Sequence, residues 1–410
     1  MKYRWLILLG AFVVIVAVAS VPLAGQAPGA GTSTAGSSYS PPRTAWGDPD
    51  LQVPGVWRGL HKVPFERPPE LQDREFRTDA EVAALEAEGE RRNALRLSGK
   101  QENRGDRNQP NYNSIVGYQP DKIRYSKRTS AIIDPPDGRL PPWTLEQVKH
   151  YEAREAATLG RGDSDSWFDR PAGERCIPIV EAPVLGNFGM ANSGRTAGAA
   201  ETPGTVNLGE GFSNNASPGG VRRFLQAPGY VAITFDESIT QGNSVADYRI
   251  VPLDGRPHLG PKFKQWRGDV RGHWEGNTLV VETTNIKYPS PIITSYGGTY
   301  PGDGETLRFT ERFTRVGPDT IEYRYTVDDP AVYTRPYTVL HELTRDDTYK
   351  VSADICHEGH DDMPSSLAGG RLDEENAMEG AKDTRLEREP RIRELKEEAI
   401  RAAAQKQGSR

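Results

Sequence analysis

Between Thr320 and Val327 the chain alternates without a break. Ile321, Tyr323, Tyr325 and Val327 carry large apolar bodies, while Glu322, Arg324 and Thr326 between them are polar. A period of two belongs to a β-strand, whose successive side chains point to opposite faces; a helix scatters the same pattern around its circumference. One face is therefore built for a core and the other for water, as in half-buried antiparallel sheet. The neighbouring segments follow suit. Thr306–Arg315 reads as the partner of Thr320–Val327, joined at Val316-Gly317-Pro318-Asp319. Tyr337–Thr344 is expected to pair with Tyr349–Ile355 around Asp346-Asp347. Upstream, Tyr230–Phe235 and Arg249–Val251 read as strands, and Gly272–Trp274 and Thr278–Thr284 flank the turn Glu275-Gly276-Asn277. A run of short strands separated by turn residues predicts a mainly β fold, an antiparallel meander forming a barrel or sandwich.

Two helices are signalled in the N-terminal half. Thr78 with Glu81 makes a capping box ahead of an Ala, Leu and Glu-rich stretch to about Ser98, and Thr144 with Gln147 opens a second helix to about Thr158. Residues 186–220 are mostly Gly, Asn, Ala and Ser and lack the Gly-Lys-Ser/Thr ending of a phosphate-binding loop, so they read as a long surface loop. Near the C-terminus both charge signs crowd together. Pro390 suits a first helical turn, and Ile392, Leu395 and Ala399 leave only a thin apolar stripe, which predicts a solvated helix loosely attached or free.

The first residues bear on compartment. Lys2 and Arg4 precede an apolar run from Trp5 to Ala19, and small residues follow with Pro22 among them, the pattern of a secretion signal. The run falls short of the roughly 20 apolar residues of a stable span, so contact with a membrane is expected only through this segment before cleavage. Gln26 stands where lipid attachment would need Cys. The expected layout is a signal peptide at 1–25, a flexible Gly/Ser/Pro-rich linker at 26–43, a β-rich domain at 44–376 and a charged helical tail at 377–410. The domain divides into a helical, loop-rich part at 44–220 and a strand-rich part at 221–360. A periplasmic or secreted location suits the two cysteines, Cys176 and Cys356, which in an oxidising space are expected to bond and close a loop of about 180 residues; the alternative is two buried thiols. Net charge is −6 without large blocks of one sign, which argues against nucleic acid as a partner.

Candidate chemistry is sparse, and no motif assigns an enzymatic activity. Glu311 falls on the apolar face shared by Leu307, Phe309 and Phe313, and the expected register sets it opposite Tyr323. A carboxylate among aromatics is costly unless hydrogen-bonded. His341, between Val339 and Leu343, points inward as well. Glu311, Tyr323 and His341 thus become candidates for binding a small molecule inside the barrel. The plainer alternative is that Glu311 pairs with an inward Arg or Tyr and holds the sheet together. The densest set of ligand-type side chains is His357, Glu358, His360, Asp361 and Asp362. Its histidines stand three apart around a glycine, unlike a zincin helix, yet a loop of this kind suits Zn or Cu and supports the rival reading of a metal-dependent hydrolase. No other cofactor is expected. His341 lies too far along the expected hairpin to join it: four residues of strand span about 13 Å. Asp137-Gly138-Arg139 and Asp254-Gly255-Arg256 read first as turns, with Arg139, Arg256 and His258 as a weaker anion site. A non-catalytic scaffold is the third reading.

Several stretches taken together resemble a family of exported bacterial proteins without an established activity. They are Trp46-Gly47-Asp48-Pro49-Asp50-Leu51, Asp134-Pro135-Pro136-Asp137-Gly138-Arg139, Arg175-Cys176, Leu253-Asp254-Gly255-Arg256-Pro257-His258, Gly272-His273-Trp274-Glu275-Gly276-Asn277-Thr278-Leu279-Val280-Val281, Glu311-Arg312-Phe313 and Cys356-His357-Glu358-Gly359. The resemblance spans roughly 44–376. This chain departs from it in the extra Val53-Pro54, the Gly-rich loop, His360 in place of Asn, and the charged tail. It implies compartment and general build and supplies no catalytic residue.

Overall fold

The computed structural model describes residues 39–71, 73–97, 124–157, 221–235, 247–265, 268–286, 304–349 and 385–408, with 302, 364, 367 and 368 besides. The chain divides into two units at Ser38/Tyr39, and everything below concerns the second. In order it contains β1 (Val56–Arg58), β2 (His61–Lys62), α1 (Asp79–Leu97), β3 (Arg124–Tyr125), β4 (Ile132–Asp134), α2 (Leu145–Ala157), β5 (Val221–Ala227), β6 (Tyr230–Phe235), β7 (Asp247–Pro252), β8 (Asp269–Glu275), β9 (Thr278–Thr284), β10 (Arg308–Gly317), β11 (Thr320–Asp328), β12 (Tyr337–Asp346) and α3 (Arg385–Gly408). The fold is mainly β, as the alternation predicts.

Ten strands form one antiparallel sheet that curls into a nearly closed barrel, in the order β7-β6-β5-β1-β12-β11-β10-β9-β8, with β4 added beside β12. Both hairpin turns with a glycine in the left-handed region obey local chemistry. Gly229 (φ 79°) follows Pro228 between β5 and β6, and Gly276 (φ 61°) opens the two-residue link from β8 to β9. The apolar faces meet inside: Phe224, Ile233, Val251, Leu279, Val281, Phe309, Phe313, Tyr323, Tyr325 and Val339 are all buried.

Three features depart from the sequence expectation. The β10–β11 hairpin sets Glu311 opposite Tyr325 and Phe313 opposite Tyr323. Val316 is extruded as a bulge and the turn tightens to Pro318-Asp319, so the register slips by two residues. An even slip keeps every side chain on its expected face. Second, the free edge of β12 is taken by β1, which pairs Val56, Trp57 and Arg58 with Asp346, Arg345 and Thr344, and by β4 at Thr338 and Val339. The expected partner Tyr349–Ile355 lies outside the described residues except for Tyr349, which is not in a strand, and at Thr344 its place is filled. Trp57 explains the choice of β1: it is fully buried, its Nε1 donates to Leu51 O at 2.8 Å, and the Arg315 guanidinium lies 5.3 Å over its ring. Burial of a tryptophan-sized surface of about 200 Å² is worth roughly 5 kcal/mol, enough to recruit a three-residue strand. Trp46, in contrast, is 39% exposed and hydrogen-bonds only locally to Asp48.

Third, the C-terminal helix is docked. Leu395 and Ala399 are buried against Val148 of α2, with Trp143 and Tyr151 alongside, and Lys396 pairs with Glu152. Its thin stripe suffices because α2 offers a matching one. It begins at Arg385, so Pro390 lies inside it rather than in its first turn. The capping box at Thr78 forms in full, Glu81 N–H donating to Thr78 Oγ1 at 3.2 Å with Thr78 N–H returning to Glu81 Oε2 at 2.8 Å. At Thr144 the cap forms, Gln147 N–H donating to Thr144 Oγ1 at 3.1 Å, while Thr144 N–H donates instead to Val332 O at 2.9 Å. No helix among the described residues is long and apolar enough to cross a membrane.

Candidate functional site

The barrel interior holds a cluster of polar side chains delivered by five strands. β10 contributes Glu311, flanked inward by Phe309 and Phe313; β11 contributes Tyr323 and Tyr325; β12 contributes His341. Across the lumen, β5 brings Arg222 and β7 brings Arg249. The ladder aligns Phe313, Tyr323 and His341 in one row, and Val281, Glu311, Tyr325 and Val339 in the next.

Glu311 is fully buried and doubly held. Arg249 approaches with one guanidinium nitrogen at 2.6 Å from Oε2 and another at 3.0 Å from Oε1, while Tyr323 donates its hydroxyl to Oε1 at 2.8 Å. One guanidinium–carboxylate hydrogen bond through Oε1 and a second close charge contact at Oε2 together offset part of the desolvation of both charges. Tyr323 stacks on Phe313 with centroids 4.6 Å apart, and the Arg222 guanidinium covers it at 4.7 Å. Burial, then the Glu311 charge, raises the Tyr323 hydroxyl well above its ordinary value; burial likewise pushes Tyr325 up. Both phenols remain protonated and able to donate.

His341 sits 6.0 Å from Tyr325 and 6.5 Å from Tyr323, centroid to centroid. Burial, with the Arg222 charge as a second cause, lowers its pKa to about 3. The ring is therefore neutral at pH 7, with one nitrogen donating and one accepting. Among the described residues neither His341 nitrogen, nor the Tyr325 hydroxyl, nor Thr283 Oγ1 has a hydrogen-bond partner. The structure thus brings Glu311, Tyr323 and His341 together as the sequence suggests, with the Glu311–Tyr323 bond running diagonally across the ladder instead of between opposed residues.

Arg222 and Arg249 escaped the sequence reading. In β7 the polarity is inverted: Tyr248 and Ile250 lie 62% and 55% exposed on the outer wall, while Arg249 is buried with Val251. Pattern alone would turn that strand around. The available signal was parity with Val251, which faces the core.

The other candidates fall elsewhere. His357, Glu358, His360, Asp361 and Asp362 lie outside the described residues, as do Cys176 and Cys356. Asp137-Gly138-Arg139 and Asp254-Gly255-Arg256 are turns with glycines at φ 70° and 71°, and Arg256 is engaged by Asp254. His258 anchors its loop on the outer wall of β8: its Nδ1 lies 3.0 Å from Asp269 Oδ2, which also accepts Leu259 N–H at 2.7 Å. A separate groove of about 270 Å³ runs between α2, α3 and the segment after β11, and includes Tyr333, Arg335 and Ala402 but none of the interior cluster. No family model, curated protein or solved structure matches the chain.

Proposed function

We propose that the domain binds a small, uncharged polar molecule inside the barrel, against His341, Tyr325 and the Glu311–Tyr323–Arg249 assembly. The observation that carries this reading is the set of buried polar atoms at His341 and Tyr325 that meet no protein partner among the described residues. Each such group costs about 1–3 kcal/mol when left unmatched, so a bound hydroxyl, amide or carbonyl gains what the folded chain forgoes. A neutral imidazole offers that molecule one donor and one acceptor, and the surrounding rings suit a flat body.

Phenol serves as a probe. Histidine-selective ¹⁵N NMR of the purified protein should give a saturable shift of the His341 ring nitrogens at millimolar phenol, absent in His341→Leu. A shift that stays linear with phenol, or one that survives in the variant, counts against the site.

A second reading is favoured by the engagement of Glu311 by Arg249 and Tyr323: a structural pin in a non-catalytic scaffold. Under it Glu311→Gln changes stability while phenol binding is nil throughout. Export through the leader and a Cys176–Cys356 bond complete the proposal of a domain working outside the cytoplasm; alkylation of both thiols in unreduced mature protein argues against that part. The metal-dependent hydrolase reading is settled by metal analysis, since stoichiometric Zn or Cu is what it requires.

A further inference from the structure

The sheet that forms the barrel has two ends, β7 and β8, and no hydrogen-bonded ladder joins them among the described residues. The wall is closed there by side chains. Gly272 of β8 faces Val251 and Leu253 so closely that a methyl group on it would lie 2.5 Å from Val251 Cγ1 and 2.9 Å from Leu253 Cδ2. Apolar contact of this kind seals a seam against water but lacks the directional bonds that hold the other strands in register.

Beyond the end of β7, Pro257, His258 and Leu259 are hydrogen-bonded to Asp269 and Arg271 of β8, and within the lumen one buried ion pair ties the β7 edge down. Arg249 belongs to β7, and its partner Glu311 belongs to β10, which lies two strands inward from the β8 edge. The ion pair therefore runs through the lumen from one lip of the seam to the wall beyond the other lip. It is buried, hydrogen-bonded through Oε1 and braced by Tyr323.

We infer that the β7–β8 seam is the door to the barrel interior and that the Arg249–Glu311 pair is its latch. Every other gap between neighbouring strands along the sheet is spanned by a ladder, as short as two residue pairs at β1–β5, whereas the seam carries none and opens by parting Val251 and Leu253 from Gly272 and releasing the ion pair. The inference rests on the interior-binding reading for what passes through; the seam's own opening is measurable without any ligand.

Hydrogen–deuterium exchange on the full chain tests the latch. In Arg249→Met, exchange in peptides covering β7 and β8 should quicken at least tenfold while β11 changes less than twofold. A uniform acceleration of all strands, or none, overturns the latch. The door is tested by a reversible staple. Val251 Cγ1 is one bond of about 1.5 Å from Cβ, so the Cβ positions at 251 and 272 lie within about 4 Å, the span of a disulfide. In Val251→Cys/Gly272→Cys, oxidation should slow phenol association at least tenfold and reduction should restore it. Equal rates in both states overturn the door even if phenol binds. If neither form binds phenol, the interior-binding reading fails, and the exchange data alone decide the seam. Should Arg249→Met not fold, exchange in the oxidised and reduced staple replaces it, with slowing confined to β7 and β8 expected and an unchanged pattern refuting the seam as the weak point.

Discussion

Acidification provides the sharpest test of the polar interior, because His341 is buried in its neutral form. Burial lowers its pKa to about 3, while the same ring in the unfolded chain titrates near 6.5. Above pH 6.5 neither state holds the proton and His341 contributes its full share of stability. Below it the unfolded chain takes up a proton that the folded chain refuses, so each pH unit costs the fold about 1.4 kcal/mol until protonation of the folded ring near the depressed value. From pH 6.5 to 5 the loss is about 2 kcal/mol. His341→Leu removes the titration and retains an apolar body in the same row. Urea unfolding followed by tryptophan fluorescence at pH 7.5, 6.5, 5.5 and 5.0, on both proteins, isolates the term, because carboxylates shared by the two cancel in the difference. Stability of the wild type relative to the variant should be constant at pH 7.5 and above, then fall by about 2 kcal/mol down to pH 5. A difference that stays flat within about 0.5 kcal/mol across that window, or a His341 ring that titrates near 6.5 by NMR, refutes the buried neutral histidine.

Three further outcomes follow from the packing. Glu311→Leu should cost about 3–5 kcal/mol, since it strands the Arg249 charge, and adding Arg249→Met should recover at least half of that; simple additivity in the unfolding free energies would falsify the coupling. Trp57→Ala should cost about 3–5 kcal/mol in the same assay, because β1 is the link between β5 and β12, and a loss under 1 kcal/mol contradicts that role. Leu395→Asp should release α3 from α2, seen as rapid proteolysis near 385–408 with the barrel left intact; an unchanged digestion pattern shows that the helix is held by something other than Val148, Trp143 and Tyr151.

How far the site could be read in advance depends on the range of each signal. The helix caps at Thr78 and Thr144 are contacts between residues three apart, and both form, the first as a complete capping box and the second as its N-cap half. Glu311 and His341 were legible as inward polar groups because alternation names a face without naming a partner. Arg249 was not, since Tyr248 and Ile250 on either side carry the apolar surface outward. Nor does alternation say that β7 would fold back across the lumen to meet β10.

By itself, the sequence determined the strands from β6 to β12, the helices α1 and α2 and which way most of their side chains point, because those follow from periods of two and 3.6 and from turn residues acting on near neighbours. Only the tertiary structure decided the two-residue slip at Val316, the use of β1 to join the two parts of the sheet, the docking of α3, and the choice of Arg249 as the partner of Glu311. A slip of two leaves every face unchanged, so no pattern of polarity can distinguish the registers. Partners 62 residues apart meet only when the sheet has curled, and the curl is a property of all ten strands together.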